Sequence, residues 1–224
     1  MNRKRMWQCV LTLTMLISLM SSAKVGADQS SAGAPPAAPG FLPATANAHG
    51  YSLTDLATAW LAWGFGTPSD VNPLVNLRCE QSALDPRIWF LPASIGGQGT
   101  STCYVPQGSF LVLLALAFEC SEAEGNGSTL AELTACNEEN FEPNTVEVAF
   151  KDSTVRDLED YIVTTRMVML PAYNLFGPDP TPSLMKGYFM VLAPMSRGVH
   201  TLHASGEFPA FPFQAGVTYT IVVR

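Results

Sequence analysis

Two periodicities run along this 224-residue chain. In "YSLTDLATAWLAWGFG", Leu53, Leu56, Ala57, Trp60 and Leu61 fall three and four apart, the spacing of one helix face. Ser52 stands where an N-cap would, and Asp55 three residues on fits a capping box. Gly64, Gly66 and Pro68 stop the helix. A second helix is predicted from Leu130 to about Glu139, behind Ser128 and Thr129, with Thr129 and Glu132 again spaced as a capping box. Elsewhere after the first helix the pattern is that of strands. Ile88–Leu91, Thr102–Val105, Phe110–Phe118, Thr145–Phe150, Ile162–Leu170, Tyr188–Leu192, Val199–Ala204 and Val217–Val223 are rich in β-branched and aromatic residues. Gly, Pro, Asn or Asp clusters separate most of them. In "TVEVAF" the alternation puts Val146, Val148 and Phe150 on one face. About eight strands and two helices predict a mainly β fold, a β-sandwich of jelly-roll-like form stapled by disulfides.

The first 48 residues follow neither pattern. Asn2-Arg3-Lys4-Arg5 is basic, an apolar run follows from about Val10 to Met20, and small residues come next. Those are the three parts of a secretory signal peptide, residues 1–27, with Val25-Gly26-Ala27 as the cleavage site and Ser21-Ser22-Ala23 as the second choice. The run is shorter than the about 20 apolar residues of a membrane span, so no membrane insertion is expected after the signal is removed. Cys9 lies at the start of the run, not at the cleavage site where a lipid-modified cysteine would sit, and leaves with the signal. Residues 28–48 are Ala, Pro, Gly and Ser with little to bury, and are expected to be a flexible linker. Residues 49–224 then form one domain.

Export changes the charge and the reading of the cysteines. The signal removes four of the 12 basic residues and none of the 19 acidic ones, which leaves a net charge near −11. So acidic a chain is a poor partner for nucleic acid, which wants basic surface. Four cysteines remain, Cys79, Cys103, Cys120 and Cys136, and an even count in an exported protein implies disulfides. Of three possible pairings, Cys79–Cys103 with Cys120–Cys136 is favoured because each closes a local loop. No CxxC occurs, against a zinc ribbon or a thioredoxin-like site.

The order of motifs is distinctive. A Trp-rich helix ("ATAWLAWGF") leads to Asn72-Pro73, Cys79, "IWFLPASIGG" and "TCYVPQG". "LPAYNLFGPDP", "KGYFMVLAPMSRGVHTLHASG" and a final "VTYTIVVR" follow. This order resembles a group of exported bacterial proteins that share a Trp-rich helix, NP, a Cys, a WFL–GG–C–VP–G core and a closing GxHTLxxxG segment. The resemblance spans nearly all of Trp60 to Arg224. Members often approach the W-F-L strand through Gly-Gln-x-Gly, where this chain has "EQSALDPRIWFL". The resemblance implies an exported, disulfide-bonded β-fold and carries over no catalytic residue.

No convergent chemistry stands out. His200 and His203 are three apart, so in a strand they face opposite sides of the sheet, and no metal site is expected. There is no GxSxG for a serine nucleophile. Glu119, Glu122, Glu124, Glu132, Glu138, Glu139, Glu142 and Glu147 crowd one region, read as a solvated acidic loop and helix around the Cys120–Cys136 staple. Asn126-Gly127-Ser128 has the form of a glycosylation acceptor. The long Pro-rich loop from Pro171 to Lys186 carries Tyr173, Asn174, Phe176 and Asp179, the candidate ligand-binding residues, with Tyr173 and Phe176 alternatively plugging the end of the sandwich. The expectation is an exported, non-catalytic binding or scaffolding protein without a cofactor, its partner a glycan or a protein. The rival readings are a secreted glycan hydrolase working through carboxylates and a purely structural envelope module.

Overall fold

The alternation in "TVEVAF" does what it predicts: Val146, Val148 and Phe150 are buried in a strand that is one member of a five-stranded sheet. The computed structural model describes residues 40–143, 145–209 and 213–224. Its elements in chain order are α1 (Leu53–Gly66), β1 (Glu80–Gln81), β2 (Ile88–Phe90), β3 (Gly97–Val105), β4 (Phe110–Ser121), α2 (Leu130–Asn140), β5 (Thr145–Phe150) and β6 (Ser153–Val155). A 3-10 turn (Glu159–Tyr161) leads to β7 (Ile162–Thr164), β8 (Val168–Leu170), β9 (Thr181–Leu192), β10 (Gly198–Phe208) and β11 (Phe213–Val223). The first sheet has the order β1-β2-β4-β9-β7, with β8 also on β9, and the second is β3-β11-β10-β5-β6. The expected mainly β fold, two packed sheets with two helices and two disulfides, is what the chain forms.

The two sheets differ in how they are covered. In β10 and β11 buried positions alternate with outward ones, as in a sheet with one wet face. β4 is buried without a break from Leu111 to Leu116, and β9 everywhere except Lys186, as in strands covered on both faces. The second sheet covers one side: the ring of Phe118 meets that of Phe208 at 5.8 Å. Helix α1 covers the other, with Trp60 edge-on to Phe189 at 5.9 Å.

Both helices start as their sequences predict. Ser52 and Asp55 form a complete capping box, and Arg166 pairs with Asp55 at 2.7 Å. Asn72 of the Asn-Pro motif fastens the other end. It is fully buried, its amide donates to Gly64 O and Thr67 O, and its carbonyl accepts from Leu74 N. Helix α2 is capped by Thr129 and Glu132 and is held down by Cys136–Cys120 and by Asn137, which bonds Leu184 O and Lys186 N.

The other disulfide, Cys79–Cys103, is also the favoured one. It ties β3 to the segment before β1. β2 and β3 do not form a hairpin across Gly96–Gly97: β2 belongs to the first sheet and β3 runs parallel to β11 in the second. Two buried hydrogen bonds anchor the crossing, from Trp60 Nε1 to Leu91 O and from the Tyr219 hydroxyl to Pro92 O, each 2.9 Å.

Three expectations change. The linker boundary at residue 48 is too late, because Phe41 is buried and bridges Leu192, and Leu42 N donates to Val191 O. Backbone bonds to β9 hold this stretch despite its small, Pro-containing composition. The expected strand Ile162–Leu170 is two strands, β7 and β8, each pairing a different half of β9. β9 itself begins at Thr181, well before Tyr188. The signal peptide and residues 28–39 lie outside the described residues.

Candidate functional site

The site is made by a gap in the first sheet. β2 pairs with β4 only over Phe110–Val112. Beyond that, among the described residues, no strand lies on that edge of β4. The edge closes again at Ser121, whose N–H donates to Asn126 Oδ1 and whose carbonyl accepts from Asn126 N. That commits the side chain of the glycosylation-like tripeptide to holding a turn. Between these points a β-bulge shifts the register against β9, so that Leu114 faces Phe189 and Leu116 faces Tyr188 with Ala115 extra.

The gap opens into a cavity of about 440 Å³. Phe65, Leu175 and Phe176 line it on the helix side, and Phe208, Phe213 and Tyr219 from the second sheet. Ala115, Ala117, Ala204, Ala215 and Gly216 leave the room. The volume lies within the range of small-molecule sites, which are mostly apolar with a few placed polar groups.

Here those polar groups are acids. Glu119, on β4, accepts a hydrogen bond of 2.5 Å from the Ser183 hydroxyl. Burial pushes its carboxyl up to about 8, and neighbouring Glu124 adds to the shift. Burial raises Glu124 as well. Their mutual hydrogen bond favours the proton on Glu119 and the charge on Glu124. The fully buried Ser121 hydroxyl, on the same face of β4, acts on Glu119 as a hydrogen-bond donor and opposes part of the rise. The groups acting on the pair are thus hydroxyls and each other, and none is a cation. Glu119, only partly exposed, is therefore not part of the solvated acidic face expected for this region, whereas Glu122, Glu124, Glu138 and Glu139 are exposed.

Solved structures similar to this chain include a chain of the complex of PbICP-C with falcipain-2, at 16% identity over 58% of this chain and 91% of that one, with a TM-score of 0.23. The cysteine protease inhibitor EhICP2 from Entamoeba histolytica is another, at 11% identity over 57% and 97%, TM-score 0.21. Likenesses at these TM-scores carry no argument about fold or function. No family model matches the chain, and no curated protein does.

The four loop residues singled out from the sequence separate into three roles. Asn174 is buried and builds the loop: its amide donates to Pro171 O and Asp179 O, and its carbonyl accepts from Phe176 N. Phe176 packs on Phe65 at 5.7 Å and forms cavity wall. Tyr173, with a positive φ of 61° and 70% exposed, and Asp179, also exposed, do not line the cavity. Elsewhere His200 Nε2 bonds Ser196 O and His203 Nδ1 bonds the Thr218 hydroxyl. Among the described residues no three metal-ligating side chains gather, and no helix is long and apolar enough to cross a membrane.

The apolar pattern alone ends this strand at Phe118, whereas β4 runs on to Ser121 and carries Glu119 into the cavity wall. Continuing the period of two past the bulge puts Ala117, Glu119 and Ser121 on one face, and a lone acid among small residues there was the available signal.

Proposed function

We propose that this is an exported, non-catalytic binding protein whose ligand is largely apolar and lodges in the cavity beside β4. The observation that carries the reading is the gap itself: a sheet that leaves about 440 Å³ open against its central strand, walled by aromatic rings and alanines. A core packed for stability alone leaves few voids larger than a water molecule. Two disulfides, Cys79–Cys103 and Cys120–Cys136, support export, as does the basic, apolar and small-residue order at the N-terminus.

The test is titration of the protein with N-phenyl-1-naphthylamine, an uncharged apolar fluorophore at neutral pH. Saturable binding at one site is expected. Ala204→Leu, which fills the cavity from β10, should abolish it at an unchanged fold, and Phe176→Ala should weaken it. Tyr173→Ala should leave it as it was. Binding that survives Ala204→Leu in a folded variant places the probe elsewhere and removes the reading.

A further inference from the structure

We propose that the cavity selects apolar ligands ending in a protonated amine, with the ammonium seated between Glu119 and Glu124 and the hydrocarbon running along β4. The inference deepens the binding reading above and rests on it. Two carboxyls meet at one end of an otherwise apolar wall, and the groups that face them supply no positive charge. On β4 the neighbour is Ser121 and on β9 it is Ser183, with Glu124 on the turn that follows β4. From the helix side and the second sheet come Phe65, Phe176 and Phe213, with the Tyr219 hydroxyl occupied by Pro92 O. Lys186, on β9, is directed away by alternation and is held by Glu138 at 2.9 Å and by the ring of Phe141.

A buried carboxylate needs a counter-charge or a proton. The empty cavity uses a proton, kept on Glu119. A ligand ammonium supplies the counter-charge instead, donating hydrogen bonds to both carboxylates, which line the cavity. The proton displaced from Glu119 goes to solvent, so charge and atoms balance. A carboxylate-tailed ligand would meet like charge at the same place, and an alcohol would form hydrogen bonds without ion pairing.

The experiment compares octylamine, octanol and octanoate by isothermal titration calorimetry at pH 7, in two buffers of different ionisation enthalpy. Octylamine should bind about tenfold or more tighter than octanol, from charged against neutral hydrogen bonds, and octanoate weakest. Octylamine alone should release up to about one proton. Its affinity should rise as pH rises from 6 towards 8. Glu119→Gln should cost octylamine its advantage over octanol. Equal affinity for all three, preference for octanoate, or an octylamine affinity indifferent to Glu119→Gln overturns the inference while leaving an apolar site. Failure of all three to bind removes the binding reading itself.

Discussion

Keeping Glu119 in the cavity wall makes folding stability fall as pH rises, against the usual trend for acids paired with cations. Its carboxyl titrates near the ordinary 4.5 in the unfolded chain and near about 8 in the folded one, because burial disfavours the charge. Between those values the folded state holds a proton that the unfolded state has released, so each pH unit costs stability. Below pH 4.5 the penalty vanishes, and above about 8 it is constant. At pH 7, two and a half units above the unfolded value, it reaches an upper bound of about 3 kcal/mol at about 1.4 kcal/mol per unit. For a domain of this size that is a melting shift of roughly 6 to 12 °C. Glu124 is also raised and acts in the same direction. Asp55, Asp85 and Glu132 are held below the ordinary range by hydrogen bonds, so their contributions are lost only at more acid pH. Scanning calorimetry from pH 5 to 8 should show the melting temperature falling, and Glu119→Gln should remove most of that slope and be the more stable protein at pH 7.5. A flat or rising profile between pH 5 and 8, or a Glu119→Gln variant with the parental slope, refutes a buried carboxyl held neutral.

Other perturbations have equally definite outcomes. Asn72→Ala strips Gly64 O, Thr67 O and Leu74 N of their partner and should cost about 3 kcal/mol in urea unfolding. Replacing Cys120 and Cys136 by serine removes a cross-link across 16 positions and should lower stability by about 3 kcal/mol, read by thermal melting. Gly187→Ala would place a methyl 2.5 Å from Ala117 Cβ and 2.8 Å from Leu116 O, forcing β4 and β9 apart. Its cost is at least about 1–3 kcal/mol by denaturant titration. Ser52→Ala, at the head of α1, should cost about 1 kcal/mol in the same assay.

What the sequence disclosed followed from local rules. Ser52–Asp55 and Thr129–Glu132 are complete capping boxes because each needs only four consecutive residues. The two disulfides were legible for a similar reason: each joins cysteines adjacent along the chain. The sequence pattern starts this strand only at Tyr188, because the Pro-rich run from Pro171 to Lys186 reads as a loop. Yet Pro182 lies near the start of the strand, and Gly187 is demanded by the close approach of Ala117, a contact 70 positions away. Phe41 gave no signal among alanines and prolines, since its partner Leu192 lies at the far end of β9. The cavity depends on a strand that stops, β2 ending at Phe90 while β4 runs on, and no local pattern records where a neighbour is missing. Of the loop residues, aromatic character pointed to Phe176 and Tyr173 alike; the backbone turn set by Asn174 turned one inward and left the other in water.

The unpaired side of β4 has a consequence for self-association. A strand edge without a neighbour is a template on which another chain can add. Natural sheets deter this with charges that point inward beside the edge, and Glu119 and Glu124 stand at that place. A strand pushing into the gap would have to bury the charge carried by the pair, which costs several kcal/mol without a partner. At neutral pH that charge is on Glu124, because Glu119 holds the proton. Glu124→Gln removes the deterrent, and concentrated solutions of that variant should scatter light before those of the parent.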